Sequence, residues 1–124
     1  MEMDRRNEPR FQSKNLITYV CLDANNQQYR QGMGRTLNIS ERGILLETHV
    51  LLDLKCSISL TIALEEELMD FRGRIVFSNK KKEGKYETGV HFGEQNEEKR
   101  RFLRHYITLF KERMMSSRGE ERDV

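Results

Sequence analysis

The segment CSISLTIAL, residues 56–64, alternates between apolar side chains and small or polar ones. Because successive residues of an extended chain point to opposite faces, this alternation predicts a β-strand with one buried face. Such a strand cannot bury its apolar face alone and has to pair into a sheet or a barrel. The apolar residues predicted to face the core are Ile58, Leu60, Ile62 and Leu64.

Five other segments are strand-like, of which residues 15–22 are rich in β-branched and aromatic residues, and polar turn sequences such as SNKKKEG, residues 78–84, separate them. Gly32 and Gly34 in the second segment indicate a bulge or a tight bend, as at a barrel corner. Since closure removes exposed strand edges, the pattern predicts a mostly β fold, a six-stranded antiparallel β-barrel. The five additional segments are residues 15–22, 29–37, 43–50, 69–77 and 85–92.

The C-terminal part of the chain changes to helical periodicity. Its apolar residues recur at spacings that form one stripe on a helix, with Asn96 as the predicted N-cap and Gly119 as the predicted end. The stripe is expected to dock onto the barrel, and its use in a homodimer is the alternative. Its members are Phe102, Leu103, Tyr106, Ile107, Phe110 and Met114.

The 124 residues are enough for one domain but not comfortably for two. Residues 1–13 lack apolar periodicity and predict a flexible N-terminal arm. The barrel and its helix, at about 96–118, are expected to occupy residues 14–118, and residues 119–124 are expected to form a disordered tail. There is no apolar signal-peptide segment and no apolar run long enough to span a membrane, so a cytoplasmic protein is expected.

Composition and spacing argue against catalysis and against general polyanion binding. The net charge is only +2 although 34% of the residues are charged, whereas a general polyanion binder carries a stronger basic excess. The three histidines lie far apart and no nucleophile motif or phosphate loop occurs, so no enzyme, metal site or cofactor is predicted. Cys21 and Cys56 lack CxxC spacing and are expected to be reduced core residues.

Two short polar motifs remain as candidate binding elements: Arg5–Arg10, RRNEPR, in the arm, and Asn38–Gly43, NISERG, in a predicted loop. A guanidinium pairs bidentately with phosphate or with the O6/N7 edge of guanine, and it stacks on bases. The carboxamide of Asn38 and the hydroxyl of Ser40 suit a base edge or a phosphate. Gly43 has no Cβ, so it permits close approach of a ligand to the backbone or a positive φ. Taken singly, the first motif most often belongs to a solvated arm, and the second is a common turn composition in which Asn38 makes an Asx-turn.

With both motifs in this order on a six-stranded β-domain, the sequence resembles a PilZ domain. That family is marked by an N-terminal RxxxR, here Arg6–Arg10, and further along by [D/N]xSxxG, here Asn38–Gly43. A late GxxF-like strand, Gly89–Phe92, also agrees with the family. The resemblance covers essentially the whole chain and implies a six-stranded antiparallel barrel with a C-terminal helix, as the strand pattern does.

The resemblance implies a bacterial receptor for the second messenger cyclic di-GMP. In such a receptor Arg6 and Arg10 clamp the phosphates and guanine edges of the ligand. Arg5 extends the motif to RRxxxR, and the resemblance then implies a second ligand molecule. Because the arm has no apolar anchor, it is expected to order only over the ligand.

On the barrel side, the resemblance implies that Asn38 hydrogen-bonds a guanine and that Ser40 and Gly43 contact the ligand. The closed arm is expected to present a new surface to an effector protein, with motility or biofilm formation as the regulated process.

Two other functions compete with this interpretation. One is an OB-like barrel for single-stranded nucleic acid, which would use the basic residues between 72 and 85 and the aromatic rings of Phe71, Phe77 and Tyr86. The balanced charge argues against it, so no nucleic-acid partner is expected. The other is a protein-interaction module that has lost its ligand, and the intact motifs argue against that.

Overall fold

The computed structural model describes residues 16–54 and 56–123, with side chains up to residue 115. Six antiparallel strands close into a barrel in the order β1-β2-β3-β6-β5-β4, and one C-terminal helix follows. The predicted fold class is confirmed, whereas the predicted arm, residues 1–13, lies outside the described residues. The elements are β1 (Leu16–Leu22), β2 (Gln28–Ile39), β3 (Gly43–Thr48), β4 (Ser57–Leu64), β5 (Glu67–Lys82), β6 (Lys85–Phe92) and α1 (Glu97–Asp123).

The barrel interior is built by the alternation that the sequence predicted. On β4 the four predicted core residues are buried, whereas Ser57, Ser59, Thr61 and Ala63 are half-buried or exposed. Inward-facing apolar residues of the other strands complete one continuous core. Burial of this apolar surface is the main term that stabilises the barrel.

The helix α1 covers part of the barrel with its apolar stripe. Phe102, Leu103, Tyr106 and Phe110 are buried, and the ring of Phe102 lies 5.8 Å from that of Phe71 on β5. The predicted N-cap is confirmed because the Asn96 side-chain oxygen accepts the amide of Lys99 at 2.8 Å. The stripe therefore docks on the barrel, as expected.

Three boundaries differ from those predicted. Strand β2 continues through Asn38 and Ile39, which were assigned to a loop. Strand β5 extends to Lys82, because a two-residue turn with Gly84 at a φ of +73° is enough to start β6. Helix α1 continues past the predicted end at Gly119 to Asp123, so residues 119–123 are helical rather than a disordered tail. A glycine stops a helix only when it adopts the left-handed conformation, and otherwise merely weakens it.

Two irregularities in strand register bear on the outer surface. The β2–β3 register shifts between Thr36 and Asn38, and the β5–β6 register shifts between Ile75 and Phe77. A bulge adds one residue to a strand and turns the following side chains. Both bulges border the same face of the barrel, across β3 and β6.

Candidate functional site

The second motif lies at the edge of an open cavity of about 440 Å³ on this face. All three of its candidate residues, Asn38, Ser40 and Gly43, line the cavity. The other candidates, Arg5, Arg6 and Arg10, lie outside the described residues. The remaining lining residues come mainly from β3, β5 and β6: Ile39, Arg42, Ile44, Leu45, Val76, Phe77, Gly89, Val90 and His91.

The motif folds into a tight turn between β2 and β3 that leaves hydrogen-bond donors unused. The Ser40 amide donates to the Gly43 carbonyl at 2.9 Å, and the Ser40 hydroxyl accepts the Arg42 amide at 3.2 Å. The Asn38 side-chain oxygen accepts the Ile39 amide at 2.9 Å. Within the described chain, no acceptor is bound by the Ser40 hydroxyl hydrogen or the Asn38 NH₂ group. These donors suit the carbonyl and ring-nitrogen acceptors of a base or the oxygens of a phosphate.

Gly43 is required by the packing of two strands. A Cβ atom at this position would lie 2.5 Å from the carbonyl oxygen of Val90. Gly43 pairs with His91, and the amide of Phe92 donates to the carbonyl of Arg42 at 2.8 Å. Because β3 and β6 approach so closely here, the glycine fixes the position of the motif turn on the barrel. The sequence alone does not reveal this strand packing, and contact of Gly43 with a ligand stays a prediction.

The floor of the cavity is apolar and exposed. Val76 and Phe77 are consecutive on β5, yet their side chains are 51% and 39% exposed because the bulge after Ile75 interrupts the alternation. The Phe77 ring lies against the backbone of Gly89, where any side chain would collide with it. An exposed aromatic ring beside a row of polar donors fits a planar, polar heterocycle.

Among the lining residues that sequence reasoning gave no role, three are exposed: Val76, Arg42 and His91. For Phe77 the sequence predicts a core position, or a stacking role only under the nucleic-acid alternative. The register shift after Ile75 exposes Phe77 and has no signature in the sequence. It depends on pairing with β6, where the ring of Phe77 lies against Gly89. Arg42 lies within Asn38–Gly43 and His91 within Gly89–Phe92, but both occupy positions that the family pattern leaves unspecified.

The three aromatic rings that the nucleic-acid alternative requires do not form one exposed stacking surface. Phe71 is fully buried, and its ring packs 5.7 Å from that of Phe92 and 5.8 Å from that of Phe102. Of the three rings proposed as stacking platforms, Phe77 is exposed, Tyr86 is half-buried and Phe71 belongs to the core.

The ionisable groups whose pKa is shifted lie away from the cavity. Burial raises the pKa of Tyr19, Cys21 and Tyr106, and hydrogen bonding to Cys56 and Asp53 raises that of Tyr29. In residues 16–54 and 56–115, no group of three acidic, histidine or cysteine side chains could hold a metal ion.

A comparison with protein families gives one match that spans the barrel and both motifs. The model of the PilZ domain matches residues 4–109, which include the arm motif, the turn motif and all six strands. The chain belongs to the PilZ domain family. PilZ domains are binding modules, and they are generally receptors for cyclic di-GMP. A comparison with curated proteins finds no match.

The matched region of this PilZ domain ends within α1, so the last residues of the helix lie beyond it. The described part of the chain contains no helix that is both long and apolar enough to span a membrane.

Proposed function

We propose that this PilZ domain binds cyclic di-GMP in the cavity beside the Asn38–Gly43 turn. The observation that carries the proposal is the juxtaposition of the donors of Asn38 and Ser40 with the exposed ring of Phe77 in one cavity. Its volume of about 440 Å³ lies within the range of small-molecule sites, about 300–1,000 Å³.

Each part of the ligand has a counterpart in the chain. A guanine base stacks on Phe77 and accepts hydrogen bonds at O6 and N7 from the donors of the turn. The phosphates carry the negative charge and are paired by Arg6 and Arg10, whose planar forks match phosphate oxygens. Arg5 adds a third fork, which supports binding of two ligand molecules.

The connection of the arm to the barrel supports its role as the second half of the site. Leu16, the first residue of β1, pairs with Arg35, three residues before Asn38 on β2. Asn38 is therefore about 10 Å along β2 from the start of β1. Arg10 precedes Leu16 by six residues, and six extended residues span at most about 20 Å. The arm is long enough to bring Arg10 to the cavity.

Ligand binding by the arm also provides a means of signalling. Arginines held close together repel one another until phosphates neutralise them, so the arm closes only on the ligand. The closed arm and the bound ligand form a composite surface for an effector protein in the cytoplasm. Ordering costs on the order of 1 kcal/mol per residue, which the charge-assisted contacts have to offset.

Isothermal titration with cyclic di-GMP tests the proposal, with GTP as the control ligand. We expect Arg6→Ala, Arg10→Ala and Ser40→Ala each to weaken binding, with about 2 kcal/mol lost for each arginine. Arg101→Ala removes an exposed arginine from α1 and should retain the affinity of the unaltered protein. Failure of the unaltered protein to bind cyclic di-GMP, or equal affinity of the Arg6→Ala, Arg10→Ala and Arg101→Ala variants, would refute the proposal.

A further inference from the structure

A second cavity, of about 430 Å³, adjoins the first on the outer face of the barrel. The two cavities share Val76 and His91 as lining residues. The second cavity contains two arginines, Arg72 and Arg74, and none of the described residues that line it is acidic. The remaining members of its lining are Ser57, Gly73, Phe92 and Gly93.

The β5 strand directs both arginines outward. Phe71 and Ile75 are buried on its inner face, so Arg72 and Arg74 lie two residues apart on the outer face. Both side chains are exposed. Arg72 and Arg74 lie on the same outer face of β5 as Val76. This face is therefore apolar at Val76 and Phe77, beside the Asn38–Gly43 turn, and cationic at Arg72 and Arg74.

The strand register fixes how close the arginines lie to the turn motif. Gly43 on β3 pairs with His91 on β6, His91 pairs with Arg74 on β5, and Arg74 pairs with Ser57 on β4. Neighbouring strands lie about 4.8 Å apart, so the backbone of Arg74 lies about 10 Å from that of Gly43. A ligand that fills the first cavity therefore ends close to the second.

The two arginines lack the acidic partners that nearby lysines have. Lys80, Lys81 and Lys85 pair with Glu83, Glu87 and Glu47. By contrast, Arg72 donates to the neutral side-chain oxygen of Asn26 at 3.1 Å. Across the described residues, neither Arg72 nor Arg74 forms an ion pair with a carboxylate. Two adjacent cations without a counter-charge are stabilised by a bound anion.

We propose that Arg72 and Arg74 form a phosphate-binding subsite next to the motif cavity. Their planar donor groups favour a phosphate, which accepts several hydrogen bonds at once. Two ligands could supply this phosphate group. One is a cyclic dinucleotide that extends from the first cavity, and the other is free inorganic phosphate or pyrophosphate. For the first source, the inference deepens the proposed function and rests on it.

The nucleotide source is tested by titration of the full chain with cyclic di-GMP. The variant R72Q/R74Q removes both guanidinium groups and retains polar side chains of moderate length. The matched control K81Q/K82Q removes the same charge from exposed positions of the same strand outside the cavity. We expect the arginine variant to bind at least about tenfold more weakly than the control.

The inorganic source is tested by NMR titration of the unaltered chain with pyrophosphate. Side-chain Nε–Hε signals are assigned with the single variants Arg72→Gln and Arg74→Gln. We expect saturable shifts of these two signals and smaller ones for Arg101, which is exposed on α1. Well-dispersed amide spectra of the variants confirm that they fold.

The outcomes separate this subsite from the proposed function. If cyclic di-GMP does not bind the unaltered chain, the proposed function fails and the pyrophosphate titration alone decides the subsite. A tenfold effect in the nucleotide titration assigns the subsite to the dinucleotide, and shifts with pyrophosphate alone assign it to free phosphate. Equal nucleotide affinities of R72Q/R74Q and K81Q/K82Q, together with no specific pyrophosphate shift, overturn the subsite.

Discussion

The hydroxyl groups of Thr36 on β2 and Tyr106 on α1 lie 3.0 Å apart in a buried contact between the barrel and the helix. Thr36 is two residues before Asn38, so this hydrogen bond joins the helix to the strand that leads into the turn motif. One hydroxyl donates to the other, and both are buried away from water. Loss of one leaves a buried polar group without its partner, which costs more than the net contribution of the bond.

We therefore expect Tyr106→Phe to lower the free energy of unfolding by about 1–2 kcal/mol. Thr36→Val should have a similar effect, and the double variant should lose less than the sum of the two because no hydroxyl is then left unpaired. Urea unfolding of the four proteins measures the coupling. Strict additivity of the two losses would contradict the direct hydrogen bond.

A second prediction concerns Gly43, where the added Cβ of alanine meets the Val90 carbonyl oxygen at 2.5 Å. Gly43→Ala should lower the free energy of unfolding by about 2 kcal/mol because β3 or β6 has to shift. Gly93→Ala is the matched control, since a Cβ there has no atom within 4 Å. Thermal unfolding should separate the two variants clearly. Equal melting temperatures would show that the strands adjust at no cost.

The sequence predicted most of the fold because strand and helix periods are local signals. The alternation in residues 57–64 places buried and exposed residues correctly, and the stripe from Phe102 to Phe110 docks as its spacing predicts. Boundaries were less predictable. The lysines at residues 80–82 are typical of a loop, but pairing with β6 draws them into β5. Long-range pairing of this kind outweighs local composition.

The candidate site was predictable only where it has motifs. Asn38, Ser40 and Gly43 line one cavity, and their contact with a ligand stays a prediction. The cavity floor was not predictable, because the exposure of Phe77 depends on a register shift after Ile75. A bulge can expose an aromatic residue that would otherwise be expected in the core. Neither Phe77 nor its neighbours in the sequence indicate that the strand register shifts there.

A third prediction concerns stability at alkaline pH. Burial raises the pKa of the Cys21 thiol from its ordinary value of 9.0 to about 11. Between these values the unfolded chain releases the thiol proton while the folded chain keeps it, so stability falls as pH rises. The contribution is fully present below pH 9 and is lost by about pH 11. A difference of two pKa units corresponds to about 2–3 kcal/mol.

Urea unfolding under reducing conditions between pH 8 and pH 11 measures this loss. Cys21→Ala should show a shallower decline, since its unfolded state has no thiol to ionise at that position. Val20→Ala, next to Cys21 on β1, keeps both thiols and every tyrosine and should retain the steep decline, which makes it the matched control. Burial also raises the pKa of Tyr19 and Tyr106 above 10.0, so part of the decline should remain in both variants. Equal slopes for Cys21→Ala and the unaltered protein would exclude the thiol as its source.

The last prediction separates Phe77 from Phe71, two aromatic residues of one strand with opposite surroundings. Phe71 is fully buried, so Phe71→Ala should lower the free energy of unfolding by about 3–5 kcal/mol. Phe77 is 39% exposed, and Phe77→Ala should cost considerably less stability. In the proposed site, however, it should weaken cyclic di-GMP binding by about 1–3 kcal/mol because a base loses its stacking surface.

Phe77→Tyr retains the ring and should bind nearly as well as the unaltered protein, whereas Leu68→Ala removes an exposed apolar side chain that does not line the cavity and should leave binding unchanged. Titration calorimetry compares the affinities, and urea unfolding confirms that each variant is folded at the temperature used. If Phe77→Ala binds as tightly as Phe77→Tyr, the ring does not stack on a base. The apolar floor would then serve only to shield the backbone of Gly89, because the Phe77 ring occupies the space that a side chain there would fill.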